Sequence, residues 1–139
     1  MTERADLVTL LRAGLPDAFA GTDVFAAYLF GSHARATASA RSDIDLGVAL
    51  GRSSSLDEIL DLHRRIHAAT GLEVDLVVLD EAPLRLLHRV LLEGVNVYSS
   101  DEVLRVRFEC RTRKLAGDFA THAERMDREM LAAIARGDR

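Results

Sequence analysis

Four residues in one short stretch, Gly31, Ser32, Asp43 and Asp45, have the types and spacing for chemistry on a phosphorylated molecule. A glycine–serine bend after a strand exposes backbone amides and a hydroxyl, which can donate hydrogen bonds to phosphate oxygens. Asp43 and Asp45 stand two positions apart where a second apolar run begins, so their side chains share one face of a strand. Neighbouring carboxylates repel each other unless a cation lies between them. Magnesium, which prefers a few carboxylates together with substrate phosphates, suits this pair. The pattern therefore indicates nucleotide chemistry.

A third carboxylate, Asp75, lies inside a later apolar run that predicts a strand over 73–79. An aspartate within an otherwise buried strand is costly unless it has a partner. We expect the neighbouring strand to be the one that carries Asp43 and Asp45. Glu73, two residues earlier on the same face, is a weaker candidate, and Asp75 on an edge strand facing water is the alternative.

These residues resemble a known signature. The motifs Gly31-Ser32-x-Ala34-Arg35 and Ser42-Asp43-Ile44-Asp45-Leu46 resemble the signature of the nucleotidyltransferase superfamily that includes DNA polymerase beta. The resemblance is strongest to its minimal MNT (MntA-type) branch, whose members are antitoxins paired with HEPN toxins. The signature normally continues with glycine where this chain has Ala36. Both halves at this spacing, between two strand-like runs, form a far more specific pattern than either half alone.

The resemblance implies a role for each matching residue. Gly31 and Ser32, assisted by Arg35, would hold the β- and γ-phosphates of ATP. Two Mg²⁺ ions would be held by three carboxylates, those of Asp43, Asp45 and Asp75. The carboxylate of Asp75 would also accept the proton of the attacking hydroxyl.

The implied function is that of an antitoxin enzyme, a Mg-dependent nucleotidyltransferase. It would transfer AMP from ATP to a hydroxyl, a tyrosine in the first instance, of a partner HEPN ribonuclease toxin and so neutralise it. One alternative is an adenylyltransferase for small molecules of the aminoglycoside type. The other is a non-catalytic antitoxin that neutralises its toxin by steric blockade.

Composition limits the other function classes. The 139 residues carry a net charge of −4, which argues against a broad basic surface, so we expect no direct binding to nucleic acid. Cys110 is the only cysteine, and the acidic Glu3 and Asp6 are unlike a signal peptide. No apolar run approaches membrane-spanning length. We expect a cytoplasmic protein without membrane contact.

The pattern of apolar residues predicts the α/β (α+β) class, with flanking helices and a long C-terminal helical segment. The resemblance implies that the small mixed sheet is that of the polymerase-beta-like nucleotidyltransferase fold. We expect one domain over 1–139, with the catalytic core at 1–100 and the helical segment at 101–139. The predicted strands are 24–30, 44–50, 73–79 and 95–99. The predicted helices are 2–11, ended by Gly14 and Pro16, then 32–38, 56–70, 83–93 and 101–136.

The C-terminal segment carries one apolar stripe, Leu104, Phe108, Leu115, Phe119, Met126, Met130 and Ile134, and Gly117 could divide it into two helices. Packing on its own domain is the default, and a partner-docking surface is the alternative. His63 and His67 have metal-ligand spacing on a helix, but no Glu or Cys nearby in the sequence completes a set. We therefore expect a solvated or partly packed pair.

Overall fold

The computed structural model describes residues 4–31 and 44–137, in the second range without the side chains of 120, 121 and 123. Four strands form one mixed sheet in the order β3-β2-β1-β4. The elements in chain order are α1 (Arg4–Ala18), β1 (Ala26–Phe30), β2 (Ile44–Ala49), α2 (Leu56–Thr70), β3 (Val74–Val78), a 3₁₀ turn (Leu79–Glu81), α3 (Leu84–Glu93), β4 (Val95–Ser99) and α4 (Glu102–Ala135). The predicted fold class is confirmed.

Each face of the sheet supports its own core. On one face, Leu29 of β1 and Leu46 of β2 pack with leucines and isoleucines of α1 and α2. On the other face, Tyr28 of β1 and Ala49 of β2 pack with Val90 of α3 and Phe108 of α4. Successive side chains on a strand alternate between faces. Because helices cover both faces, the strands are apolar at nearly every position.

The boundaries of α2 were predicted correctly from the sequence. The hydroxyl of Ser55 accepts a hydrogen bond from the amide of Glu58, which satisfies one of the free donors at the start of the helix. Gly71 ends the helix in the left-handed conformation, and its amide donates to the carbonyl of His67. Leu62 and Ile66 bury the inner face against the sheet.

The prediction for α1 was wrong at its C-terminal end. The helix continues through Gly14 and Pro16 to Ala18, because its buried stripe continues through Leu15. Gly14 lies against α2, where an added Cβ would come within 2.7 Å of Thr70 Cγ2. The glycine therefore lets the two helices approach closely, and the area that they bury outweighs its low helix propensity.

Two glycines inside helices should respond to alanine in opposite ways. Gly14→Ala is expected to lower the free energy of unfolding by about 1 kcal/mol or more, since overpacking against α2 exceeds the propensity gain. Gly117→Ala, whose Cβ would meet nothing within 4 Å, should raise it by about 0.5–1 kcal/mol. Urea unfolding of both variants measures the two values; equal signs would contradict the close helix packing at Gly14.

Helix α4 is continuous, so Gly117 does not divide it. Its 34 residues extend for about 50 Å. Asp101 begins the helix by accepting a hydrogen bond from the amide of Leu104. Phe108, Thr112 and Ala116 are buried and hold its first half on α3 and the sheet. None of the helices in the described part of the chain is both apolar and long enough to cross a membrane.

Candidate active site

Two of the predicted acidic residues face each other across neighbouring strands. β2 and β3 run parallel, and Asp45 is the register partner of Asp75. Register partners project to the same side of a sheet, so both carboxylates lie on the face that α3 and α4 partly cover. The expected pairing of the strand of Asp75 with the strand of Asp45 is confirmed. Asp45 is half-buried and Asp75 is exposed, so the pair is open to a ligand from solvent.

Gly31 brings the backbone of the bend against the first of these carboxylates. It follows β1 with φ of 75°, a conformation that favours glycine. A Cβ at this position would lie 2.2 Å from Asp45 Oδ2, well inside van der Waals contact. The end of β1 and the start of β2 are also register partners through Phe30 and Asp45. Gly31 and the carboxylate of Asp45 therefore lie close together.

The remaining residues of the predicted site, Ser32, Arg35 and Asp43, lie outside the described residues, as does the predicted helix at 32–38. Their roles stay predictions. The described residues contain no group of three or more His, Cys, Asp or Glu side chains placed to hold a metal ion. Asp45 and Asp75 are the two members of the predicted set of three that lie within the described residues.

Glu73 does not compete with Asp75. Its carboxylate lies 3.0 Å from His67 Nδ1 and 3.8 Å from His63 Nε2, both on α2. The expectation that Glu73 lies on the same face as Asp75 was wrong, because Glu73 precedes β3 and its side chain contacts α2. His63 Nε2 also lies 3.1 Å from the carbonyl oxygen of Val74. The two histidines therefore connect α2 to the start of β3.

Asp80 connects β2 to the turn after β3, a contact that was not predicted from the sequence. Its carboxylate accepts hydrogen bonds of 2.8 Å from the amides of Leu50 and Gly51, just after β2. These bonds tie the C-terminal end of β2 to the turn that follows β3. Asp45 and Asp75 lie near the opposite, N-terminal ends of the same two strands. An aspartate after a strand is too common for sequence alone to identify this role.

Tyr28 lies on the same sheet face, beneath α4. Burial, and then the negative charge of Glu109, raises the pKa of the Tyr28 phenol well above its ordinary value. Tyr28 is therefore neutral at physiological pH and shielded from solvent, and it is neither a general base nor an accessible nucleophile.

The fold is that of a nucleotidyltransferase. The family model "Polymerase beta, Nucleotidyltransferase" matches residues 17–103, which is more than half of the chain. The chain belongs to this family. No curated protein matches it significantly.

Solved structures share the fold. A chain of a toxin–antitoxin crystal structure with AMP-PNP is 22% identical with a TM-score of 0.63, over 94% of this chain and 99% of that one. A chain from the complex of the tri-AMPylated Shewanella oneidensis HEPN toxin with its MNT antitoxin is 20% identical with a TM-score of 0.56, over 92% and 95%. A candidate minimal nucleotidyltransferase is 29% identical with a TM-score of 0.52, over 68% and 95%. The present chain thus has the fold of the MNT-type minimal nucleotidyltransferases.

Proposed function

We propose that this protein transfers AMP from ATP to a tyrosine hydroxyl of a HEPN ribonuclease toxin and thereby neutralises it. The observation that carries the proposal is the pairing of Asp45 with Asp75 beside Gly31, in a chain of the polymerase beta nucleotidyltransferase family. Carboxylates on adjacent strands, next to a bend whose backbone amides can approach phosphates, suit a nucleoside triphosphate with its magnesium.

Each residue of the site has a distinct proposed role. Gly31, Ser32 and Arg35 bind the β- and γ-phosphates, and Arg35 supplies a forked cation for phosphate oxygens. The two Mg²⁺ ions would be held by Asp43, Asp45 and Asp75. When bound, such ions neutralise triphosphate charge and lower the pKa of a bound hydroxyl. The Asp45–Asp75 pair is open to solvent on the side of Asp75, so ions and ATP could reach it.

The proposed reaction is a displacement at the α-phosphorus of ATP. The acceptor oxygen forms a bond to this phosphorus while the bond to the oxygen bridging to the β-phosphate breaks. Pyrophosphate leaves, and the proton of the acceptor hydroxyl passes to the carboxylate of Asp75. Because little covalent chemistry falls to the protein, positioning of the two oxygens and charge stabilisation supply most of the rate.

The acceptor must come from another molecule. The chain has two tyrosines, Tyr28 and Tyr98. Tyr28 is buried, and Tyr98 packs edge-on against Phe19 on the opposite face of the sheet from Asp75. Neither can reach the proposed site without unfolding of the core.

The identity of the acceptor is supported by two of the similar structures. One is a toxin–antitoxin complex crystallised with AMP-PNP, an analogue of ATP, and the other contains a HEPN toxin that carries AMP groups. The polymerase beta family match supports assigning this chain the nucleotidyltransferase role in such a pair. We infer from this likeness that its acceptor is also a HEPN toxin, in a cytoplasmic complex.

A labelling experiment tests the proposal. The protein is incubated with Mg²⁺, ATP labelled at the α-phosphate and each HEPN protein of its own genome. We expect label on a tyrosine of one HEPN protein, and we expect loss of that protein's ribonuclease activity. Removal of Mg²⁺ by EDTA should abolish the labelling, because the triphosphate charge is then unscreened at the carboxylates.

Asp45→Asn separates catalysis from steric blockade. The variant keeps the shape of the side chain but removes its charge, so it should form the complex without transferring label. Ribonuclease activity that stays suppressed in that complex would show that the antitoxin acts by covering its toxin. Absence of label on every HEPN protein with either Mg²⁺ or Mn²⁺ would remove the transferase proposal.

A further inference from the structure

The outer half of α4 exposes an apolar face that no described part of the chain covers. Phe119, Met126 and Met130 are 65%, 54% and 61% exposed. At 100° per residue they continue the side of the helix that Phe108 and Thr112 bury against the domain. A run of large apolar side chains on one helix face is typical of an interaction surface.

A groove lies at the inner end of this face, between α3 and α4. It has a volume of about 310 Å³ and is lined by Leu84, Arg85, His88, Ala116 and Phe119. Its walls are mainly apolar, and Arg85 adds a positive charge. The C-terminal end of a helix carries free carbonyl groups and a partial negative charge. The groove therefore suits the end of an apolar helix.

The face is complementary to itself in an antiparallel arrangement. With a two-fold axis at Met126, Phe119 faces the small Ala133 of the second copy, and His122 faces its Met130. Large side chains opposite small ones allow close packing between helices. In the same register the end of α4 reaches Phe119 of the second copy, and thus the groove beside α3.

The charges beside the apolar face support the same register. One flank of the helix carries Asp118, Arg125, Glu129 and Arg136. In an antiparallel pair with a two-fold axis, equivalent flanks face each other. These charges are symmetric about position 127, one residue from the proposed axis, so Asp118 lies near Arg136 and Arg125 lies near Glu129 of the second copy, and all four resulting contacts join opposite charges.

We propose that the outer half of α4 binds a second copy of this chain as an antiparallel helix pair, with each helix end seated in the groove between α3 and α4 of the other copy. This inference does not depend on the proposed transfer activity, since it concerns a surface outside the Asp45–Asp75 site. Its consequence is a protein with two nucleotidyltransferase sites.

Sedimentation velocity of the purified full chain, from about 1 to about 100 μM, tests the proposal. We expect a concentration-dependent dimer of the 15.3 kDa chain. Phe119→Asp should abolish the dimer. Leu131→Asp is the matched control, because Leu131 is also 65% exposed on α4 but points away from the face. A wild-type protein that stays monomeric throughout, or equal loss in both variants, would overturn the proposal and assign the face to a different protein.

Charge exchange distinguishes a second copy from any other occupant. In the proposed dimer, residues 125 and 129 of the two copies meet at two symmetric contacts. Either single variant, Arg125→Glu or Glu129→Arg, places like charges at both contacts. Each should raise the dissociation constant about tenfold. The variant that carries both exchanges should recover the wild-type constant. If the double variant is no better than the single variants, the register is wrong.

Disulfide formation tests the position of the axis. In a Cys110→Ser background, Met126→Cys should give a covalent dimer on oxidation, because the two copies of residue 126 meet at the axis. Leu131→Cys in the same background should remain monomeric under reducing-agent-free electrophoresis. Equal cross-linking at both positions would contradict the specific helix pair.

Discussion

Replacing Asp75 by Asn is expected to slow AMP transfer by about 10²–10⁴-fold, because the variant can neither accept the hydroxyl proton nor contribute a negative charge to the magnesium site. The side chain is exposed, so the substitution should leave the fold and its melting temperature unchanged. Single-turnover transfer to the HEPN toxin, at saturating ATP, measures the rate of the chemical step.

Glu73→Gln is the matched control for Asp75→Asn. Glu73 is an exposed carboxylate two residues earlier, and it contacts His63 and His67 rather than the proposed site. Its removal should leave the transfer rate close to that of the wild-type protein. Equal rates for Asp75→Asn and Glu73→Gln would mean that Asp75 has no part in the reaction.

Gly31→Ala should slow AMP transfer nearly as much as Asp75→Asn, but for a steric reason. The new Cβ would lie 2.2 Å from Asp45 Oδ2, so the bend or the carboxylate must move by an ångström or more. A displacement of about 1 Å in a group that positions substrate can cost about 10²-fold in rate. We expect a loss of at least this size in the transfer assay, together with weaker binding of ATP.

Gly21→Ala controls for backbone strain. Gly21 has φ of 76°, almost the same as Gly31, but a Cβ there would meet nothing within 4 Å. Both variants should lose about 1 kcal/mol of stability from the left-handed conformation. Only Gly31→Ala should lose activity. Full activity in Gly31→Ala would show that the contact between the bend and Asp45 is not needed.

Much of the fold was predictable because local signals and burial agree. Ser55 and Gly71 mark the two ends of α2, and the apolar stripe between them faces the core. The strands were recognisable as apolar runs, and the structure shortens the first by two residues at its N-terminal end. The pairing of the strands of Asp45 and Asp75 was predicted correctly, but the argument from a buried aspartate was wrong, because β3 is an edge strand and Asp75 is exposed.

The errors have a common physical cause, which is contact between segments distant in sequence. Gly14 and Pro16 usually end helices, but here the packing of α1 on α2 keeps both inside the helix. The hydrogen bonds of Asp80 to β2 and the contact of Glu73 with α2 likewise join elements that sequence patterns treat one at a time. Local propensity carries no information on such contacts.

The most direct test of the account measures the binding of a metal ion to the paired carboxylates. Mn²⁺, which substitutes for Mg²⁺ and is visible by electron paramagnetic resonance, is titrated into the protein with an ATP analogue that cannot be cleaved between its α- and β-phosphates. We predict that Asp45→Asn and Asp75→Asn each weaken Mn²⁺ binding by at least about tenfold, while Glu73→Gln does not. Wild-type affinity for Mn²⁺ in both aspartate variants would contradict the claim that Asp45 and Asp75 hold one metal site.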